Sequence, residues 1–134
     1  MEPTCEVKAN GNKAWYLTGK LILSKLFRKS VHNMVDENGT KIWLLNDKLH
    51  RTDGPALEYA TGTKIWYLNG KRHRTDGPAV EYVTGTKEWY LNGKRHRVDG
   101  PAVEHVYGYK AWYLNGEYIT DDPLVWMILQ YENN

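Results

Sequence analysis

The chain has 134 residues, 18 Lys and Arg against 16 Asp and Glu for a net charge of +2, and one cysteine, Cys5. That length accommodates a single domain without a separate catalytic module, and a lone thiol excludes both an internal disulfide and a cysteine-based metal site, as suits a reducing compartment. No stretch approaches the ~20 apolar residues of a membrane span and no secretory leader pattern opens the sequence, so the expected setting is cytoplasmic.

In chain order, residues 13–20 (KAWYLTGK) form a half-unit of a motif that recurs further on. Residues 21–34 follow, with Leu23, Leu26, Phe27, Val31 and Met34 at helical spacing and basic residues between them, which predicts a helical insertion. Residues 28–50 make a degenerate unit that keeps the motif's second half and lacks Asp-Gly-Pro-Ala. Three full 23-residue units then run over 51–73, 74–96 and 97–119. The first two differ only at Leu57/Val80, Ala60/Val83 and Ile65/Glu88, and the third is looser. Last, Asp121-Asp122-Pro123 precedes Leu124, Met127, Ile128 and Tyr131 at helical spacing, which predicts a capping helix over 121–133.

A fixed period of this length signals repeated supersecondary elements that bury their apolar faces against one another. Within a unit, residues 78–83 and 88–91 are rich in β-branched and aromatic types and flank Thr84-Gly85-Thr86, a hairpin pattern. Asn92-Gly93 marks a second tight reversal, and the prolines at 55, 78 and 101 put each first strand at a corner or edge. The expected fold is mainly β: an elongated antiparallel meander of hairpins, two strands per unit. Alternation places Lys87, Trp89 and Leu91 on one face and Glu88, Tyr90 and Asn92 on the other. Trp and Leu fill their slots in every copy, which suggests a buried aromatic and aliphatic spine. The slot just before Trp, which reads Ile65, Glu88 and Ala111 in the full units, tolerates apolar and charged residues alike and is expected to be partly solvated.

Charge is unevenly spread. Residues 1–50 and 51–96 each hold eight basic against five acidic residues, and residues 97–134 hold two against six, giving +3, +3 and −4. The repeated His-Arg-x-Asp could in principle support acid–base chemistry. Repetition opposes this: equivalent residues of successive two-stranded units stand roughly 10 Å apart, so His50, His73 and His96 cannot share a metal ion. The aspartates Asp53, Asp76 and Asp99 instead read as turn residues pairing with Arg51, Arg74 and Arg97. Phosphate-binding glycine loops are absent from the sequence, and its only serines are Ser24 and Ser30. The expectation is a protein without enzymatic activity, cofactor or metal.

Lys-x-Trp-Tyr-Leu-Asn-Gly-Lys-Arg-His at a spacing of 23, joined by glycine turns, resembles the MORN repeat family. The likeness covers residues 51–116 throughout and 13–19 and 41–50 in part. It departs where the family usually carries His-Gly-x-Gly, because this chain has His-Arg-x-Asp-Gly-Pro-Ala, a variant similar to repeats encoded by bacteriophages and large viruses. The resemblance implies a twisted antiparallel sheet used for protein contacts, sometimes for homodimerisation, with no catalysis. It further implies a viral anti-defence protein that inhibits a host defence or regulatory factor in the host cytoplasm. The candidate partner-binding residues are the basic turn edge, Arg72, His73, Arg74, Arg95, His96 and Arg97, and the variable slot Ile65, Glu88 and Ala111. Two rival readings are a nucleic-acid or nucleotide-sequestering protein, favoured by arginines beside aromatic strands, and a homo-oligomeric structural repeat.

Overall fold

The computed structural model describes residues 4–7, 13–17, 20–21 and 32–134, with side chains from 33 onward. Among the described residues the fold is mainly β, built of short antiparallel strands joined by hairpins, as the repeat pattern predicts, with a C-terminal helix. The chain divides into two compact units, Met1–Lys71 and Arg72–Asn134.

In the first unit, β1 (Thr4–Val7), β2 (Lys13–Leu17) and β3 (Lys20–Leu21) form one antiparallel sheet. A second sheet runs β4 (His32–Val35), β5 (Lys41–Leu45), β7 (Leu57–Glu58), β8 (Lys64–Ile65), and β6 (Lys48–Leu49) pairs with the far end of β5. Asp36 closes the β4–β5 hairpin, its Oδ1 accepting from the amides of Asn38 and Thr40, both at 2.9 Å. β9 (Tyr67–Leu68) continues the β8 strand beyond Trp66, and β10 (Lys71–Arg72) follows its turn. The helix expected over 21–34 is not borne out at its ends, because Leu21 belongs to β3 and His32 to Met34 belong to β4; residues 22–31 lie outside the described residues.

In the second unit, β11 (Val80–Glu81), β12 (Lys87–Glu88), β15 (Val103–Glu104), β16 (Lys110–Leu114) and β17 (Glu117–Thr120) pair in that order. A separate ribbon joins β13 (Tyr90–Leu91) to β14 (Lys94–Arg95). The repeats 51–73 and 74–96 therefore each contribute four short strands in two hairpins and the repeat 97–119 contributes three, where the sequence suggested two strands per unit. The extra break falls at tryptophan. Trp89 N donates to Ala102 O in the next repeat at 2.8 Å, and Trp89 O accepts from His96 N at 3.1 Å, so the strand changes partners there. Trp43 does the same with Ala56 and His50. The second hairpin turns through Asn92 (φ 50°) and Gly93 (φ 81°), both left-handed, the geometry of a type I′ turn that Asn-Gly favours.

Register decides which face is inside. Glu88 pairs with Val80 on one side and Val103 on the other, and Val103 pairs with Ala111, so these four residues share one face of the sheet. That face is buried: Val80 is fully enclosed, and Glu88 and Ala111 are 8% and 1% exposed. In the first unit Ile42, Leu57 and Ile65 are in register, and Ile65 is likewise buried. The alanines of the Asp-Gly-Pro-Ala loops, Ala56, Ala79 and Ala102, have no exposed surface. This corrects two expectations: the slot before Trp is interior, and Trp43, Trp66 and Trp89 are only half-buried on the opposite face.

Trp112 is buried, and its reason is local. The helix α1 (Pro123–Glu132) packs beside β17 and stacks Trp126 on Trp112, ring centroids 6.1 Å apart. Asp122 caps α1 by accepting from Leu124 N at 2.8 Å, and proline opens its first turn, as the sequence predicts. The packing face differs from the expected one. Leu124, Met127, Ile128 and Tyr131 are exposed, and Trp126 and Leu129 are the part-buried residues. No helix among the described residues is long and apolar enough to cross a membrane.

Candidate interaction groove

Each Arg-x-Asp-Gly-Pro-Ala loop is tied around its arginine. Arg97 Nε donates to Asp99 Oδ1 at 2.9 Å, and its Nη1 donates to Pro101 O at 3.1 Å and to Glu104 Oε1 at 2.8 Å. The guanidinium carbon lies 3.9 Å from the centre of the Trp89 ring, a cation–π contact. Arg51 repeats the arrangement with Asp53, Pro55 and Glu58, and sits 4.0 Å from the Trp43 ring. Arg74 bonds Asp76, Pro78 and Glu81 in the same way. The glycine of the loop leaves room for the guanidinium: a Cβ on Gly100 would meet Arg97 Cζ at 2.9 Å, and one on Gly54 would meet Arg51 Cζ at 2.8 Å, so a side chain there would push the arginine from its hydrogen bonds. The expected pairing of Asp53, Asp76 and Asp99 with these arginines is thus present. The hydrogen bond and charge of the neighbouring guanidinium hold all three carboxyls below the ordinary aspartate range.

Electrostatics follow from the pairing. Arg74 and Arg97 each meet two carboxylates, the loop aspartate and a strand glutamate, so these loop edges present no surplus positive charge. The histidines are also committed. Nδ1 of His50, His73 and His96 accepts from the amides of Asn69, Asn92 and Asn115, all at 3.0 Å, so each ring carries its proton on Nε2 and caps the Asn-Gly turn of the following repeat. Among the described residues no group of three or more His, Cys, Asp or Glu side chains could hold a metal ion.

Arg72 and Arg95 lie elsewhere. Arg72 Nη1 donates to the Tyr90 hydroxyl at 3.3 Å, Tyr90 donates to Glu88 Oε2 at 2.8 Å, and Arg95 Nη2 donates to Glu88 Oε1 at 3.4 Å. Both guanidinium groups stack on tyrosine, Arg72 at 5.3 Å from the Tyr90 ring and Arg95 at 5.4 Å from that of Tyr113. Burial, reinforced by the hydrogen bond to the Glu88 carboxylate, pushes the Tyr90 hydroxyl above its ordinary pKa of 10.0. A buried carboxylate is tolerated here because a hydroxyl and a guanidinium reach both of its oxygens.

In the second unit a cleft of about 550 Å³ opens on the tryptophan face. Trp89 and Leu91 line it, with Arg74, Thr75, Asp76 and Gly77 from one loop and His96, Arg97, Val98 and Asp99 from the next. The half-exposed indole, Leu91 and Val98 offer apolar contact. Asp76 and Asp99 bond their arginines through Oδ1 and are otherwise exposed, so their remaining oxygens face solvent as acceptors.

Of the residues singled out from sequence, Arg74, His96 and Arg97 come together at this cleft. Arg72 and Arg95 join the tyrosine stack, His73 caps a turn, and Ile65, Glu88 and Ala111 are interior, where differences between copies change core packing. Tyr59, Tyr82 and His105, another set that varies between copies, are exposed where their turns begin. Sequence reasoning passed over Thr75, Val98 and the outer aspartate oxygens. The signal was the invariance of Arg-x-Asp-Gly around a position that reads Thr75 in one copy and Val98 in the next. No family model matches the chain, and no curated protein matches it either.

Proposed function

We propose that this protein is a non-enzymatic interaction module that holds an extended segment of a protein partner in the cleft floored by Trp89 and Leu91. The cleft carries the proposal: it combines an apolar floor, hydrogen-bond acceptors and two wall residues, Thr75 and Val98, at a repeat position that is not constant between copies. Such a surface takes an apolar side chain together with neighbouring N–H donors. Catalysis draws no support from the same groups, since the histidine Nδ1 atoms and the arginines are engaged in holding turns and loops. Nucleic acid draws little, since phosphate contacts need uncompensated cations and Arg74 and Arg97 are each matched by two carboxylates. The likeness of the units to MORN-type repeats of bacteriophages and large viruses is the ground for reading the partner as a host defence or regulatory protein. The single cysteine suits a reducing, cytoplasmic setting.

The experiment is affinity capture from a host lysate with wild type and with Val98→Arg, which places a cation on the cleft wall at a residue 63% exposed and therefore free to change without unfolding. Loss of the captured protein from the variant, with unchanged circular dichroism, is the expected result. Equal capture by both proteins would remove the cleft as the contact.

A further inference from the structure

The helix α1 turns its most continuous apolar stripe away from the fold. Leu124, Met127, Ile128 and Tyr131 stand at i, i+3, i+4 and i+7, so they line one face, and they are 64%, 59%, 56% and 87% exposed. Trp126 and Leu129, the part-buried residues, lie on the other side, with Trp126 stacked on Trp112. Ten residues make a marginal helix in water, yet this one is secured at both ends. Asp122 caps the N-terminus, and the side-chain amides of Asn133 and Asn134 donate to Leu129 O and Gln130 O at 2.8 and 2.9 Å. An apolar ridge on a capped helix is thus formed before any ligand arrives, which lowers the ordering cost of binding.

Charge selects the occupant. Residues 111–134 contain Glu117, Asp121, Asp122 and Glu132 and no Lys or Arg, and three of these carboxylates stand at the ends of the helix. A second copy of the ridge would bring the same negative charges together, which opposes self-pairing. A helix whose apolar stripe is edged by lysine or arginine satisfies both the ridge and its ends. We propose that the outward face of α1 is a docking surface for a basic amphipathic helix of a protein partner. It shares no residue with the cleft, so either reading can fail without the other.

The test uses the full chain and two fluorescently labelled 18-residue peptides with the same amphipathic leucine pattern, one carrying lysine and the other glutamate on its polar face. Binding is followed by anisotropy in low salt. The lysine peptide is expected to bind at least tenfold more tightly than the glutamate peptide. The double variant Met127→Ser/Ile128→Ser is expected to lose at least tenfold in affinity with its helix content intact, and Asp121→Lys/Glu132→Lys is expected to invert the preference. Unchanged binding by the serine variant would show attraction to acidic charge alone and overturn the proposal. It is equally overturned if light scattering finds a wild-type dimer that the serine variant dissolves, since a second copy then covers the ridge. Binding to phosphatidylcholine vesicles that the serine variant abolishes would assign the ridge to a lipid surface and exclude it as well.

Discussion

Arg97→Ala removes the centre of a loop knot, and its cost can be worked from the geometry. The side chain is 20% exposed, and its guanidinium makes three hydrogen bonds while lying 3.9 Å from the Trp89 ring centre. The bond to Pro101 O is charge-assisted and part-buried, worth about 1.5 kcal/mol net. The pair with Glu104, whose side chain is 35% exposed, is discounted for solvent screening to about 0.5 kcal/mol. The indole contact contributes about 1 kcal/mol. The bond to Asp99 reaches a solvent-exposed carboxylate and is left out of the sum. Arg97→Ala should therefore cost about 3 kcal/mol, a lowering of the midpoint by roughly 9 °C for a chain of this size. Arg97→Lys keeps the charge and loses the planar fork and flat π contact, so it should retain only a minor part of that stability. Guanidinium denaturation followed by tryptophan fluorescence and by circular dichroism measures both variants. A loss below about 1 kcal/mol for Arg97→Ala, or a lysine variant as stable as wild type, would refute the view that planar arginine recognition organises these loops.

Three further outcomes follow from the titratable groups. The carboxyls of Asp53, Asp76 and Asp99 lie below their ordinary 3.8, so their contribution to stability is complete above that value and disappears as pH falls through the lowered folded-state values. Carbon-detected NMR titration should show Asp99 returning to the ordinary range in Arg97→Ala; an unshifted Asp99 in wild type would contradict the pairing. Glu88→Ala strips the acceptor from the Tyr90 hydroxyl and from Arg95 and opens a cavity, a loss of about 2 kcal/mol. Glu88→Ile, the residue type found at Ile65, should be milder because it refills the slot. In wild type the Tyr90 phenol ionises above pH 10, and its stabilisation, complete below the unfolded value, is lost as pH rises through the raised folded-state value. Ultraviolet titration would detect this, and Glu88→Gln should bring the tyrosine transition down. A Tyr90 transition indifferent to Glu88→Gln would sink the assignment.

What the amino-acid sequence determines by itself is local. A period of 23, Asn-Gly at the second reversal of each full unit and Asp-Pro before the last helix specify hairpins, type I′ turns and an N-capped helix, because each depends on the φ preferences or side-chain reach of a few adjacent residues. The Arg–Asp pairs were legible for the same reason, being two residues apart. Which side of the strand is interior was not. Alternation separates Trp89 from Glu88 without saying which faces inward, and hydrophobicity alone points to tryptophan. Pairing settled it, since Glu88 falls between Val80 and Val103 while arginine from the next loop covers the indole from the other side. The helix shows the same division: its residues specify that it forms, and only the stacking of Trp126 on Trp112 decides that Leu124, Met127, Ile128 and Tyr131 face solvent. Register and docking depend on atoms distant in the chain, so no reading of neighbouring residues contains them.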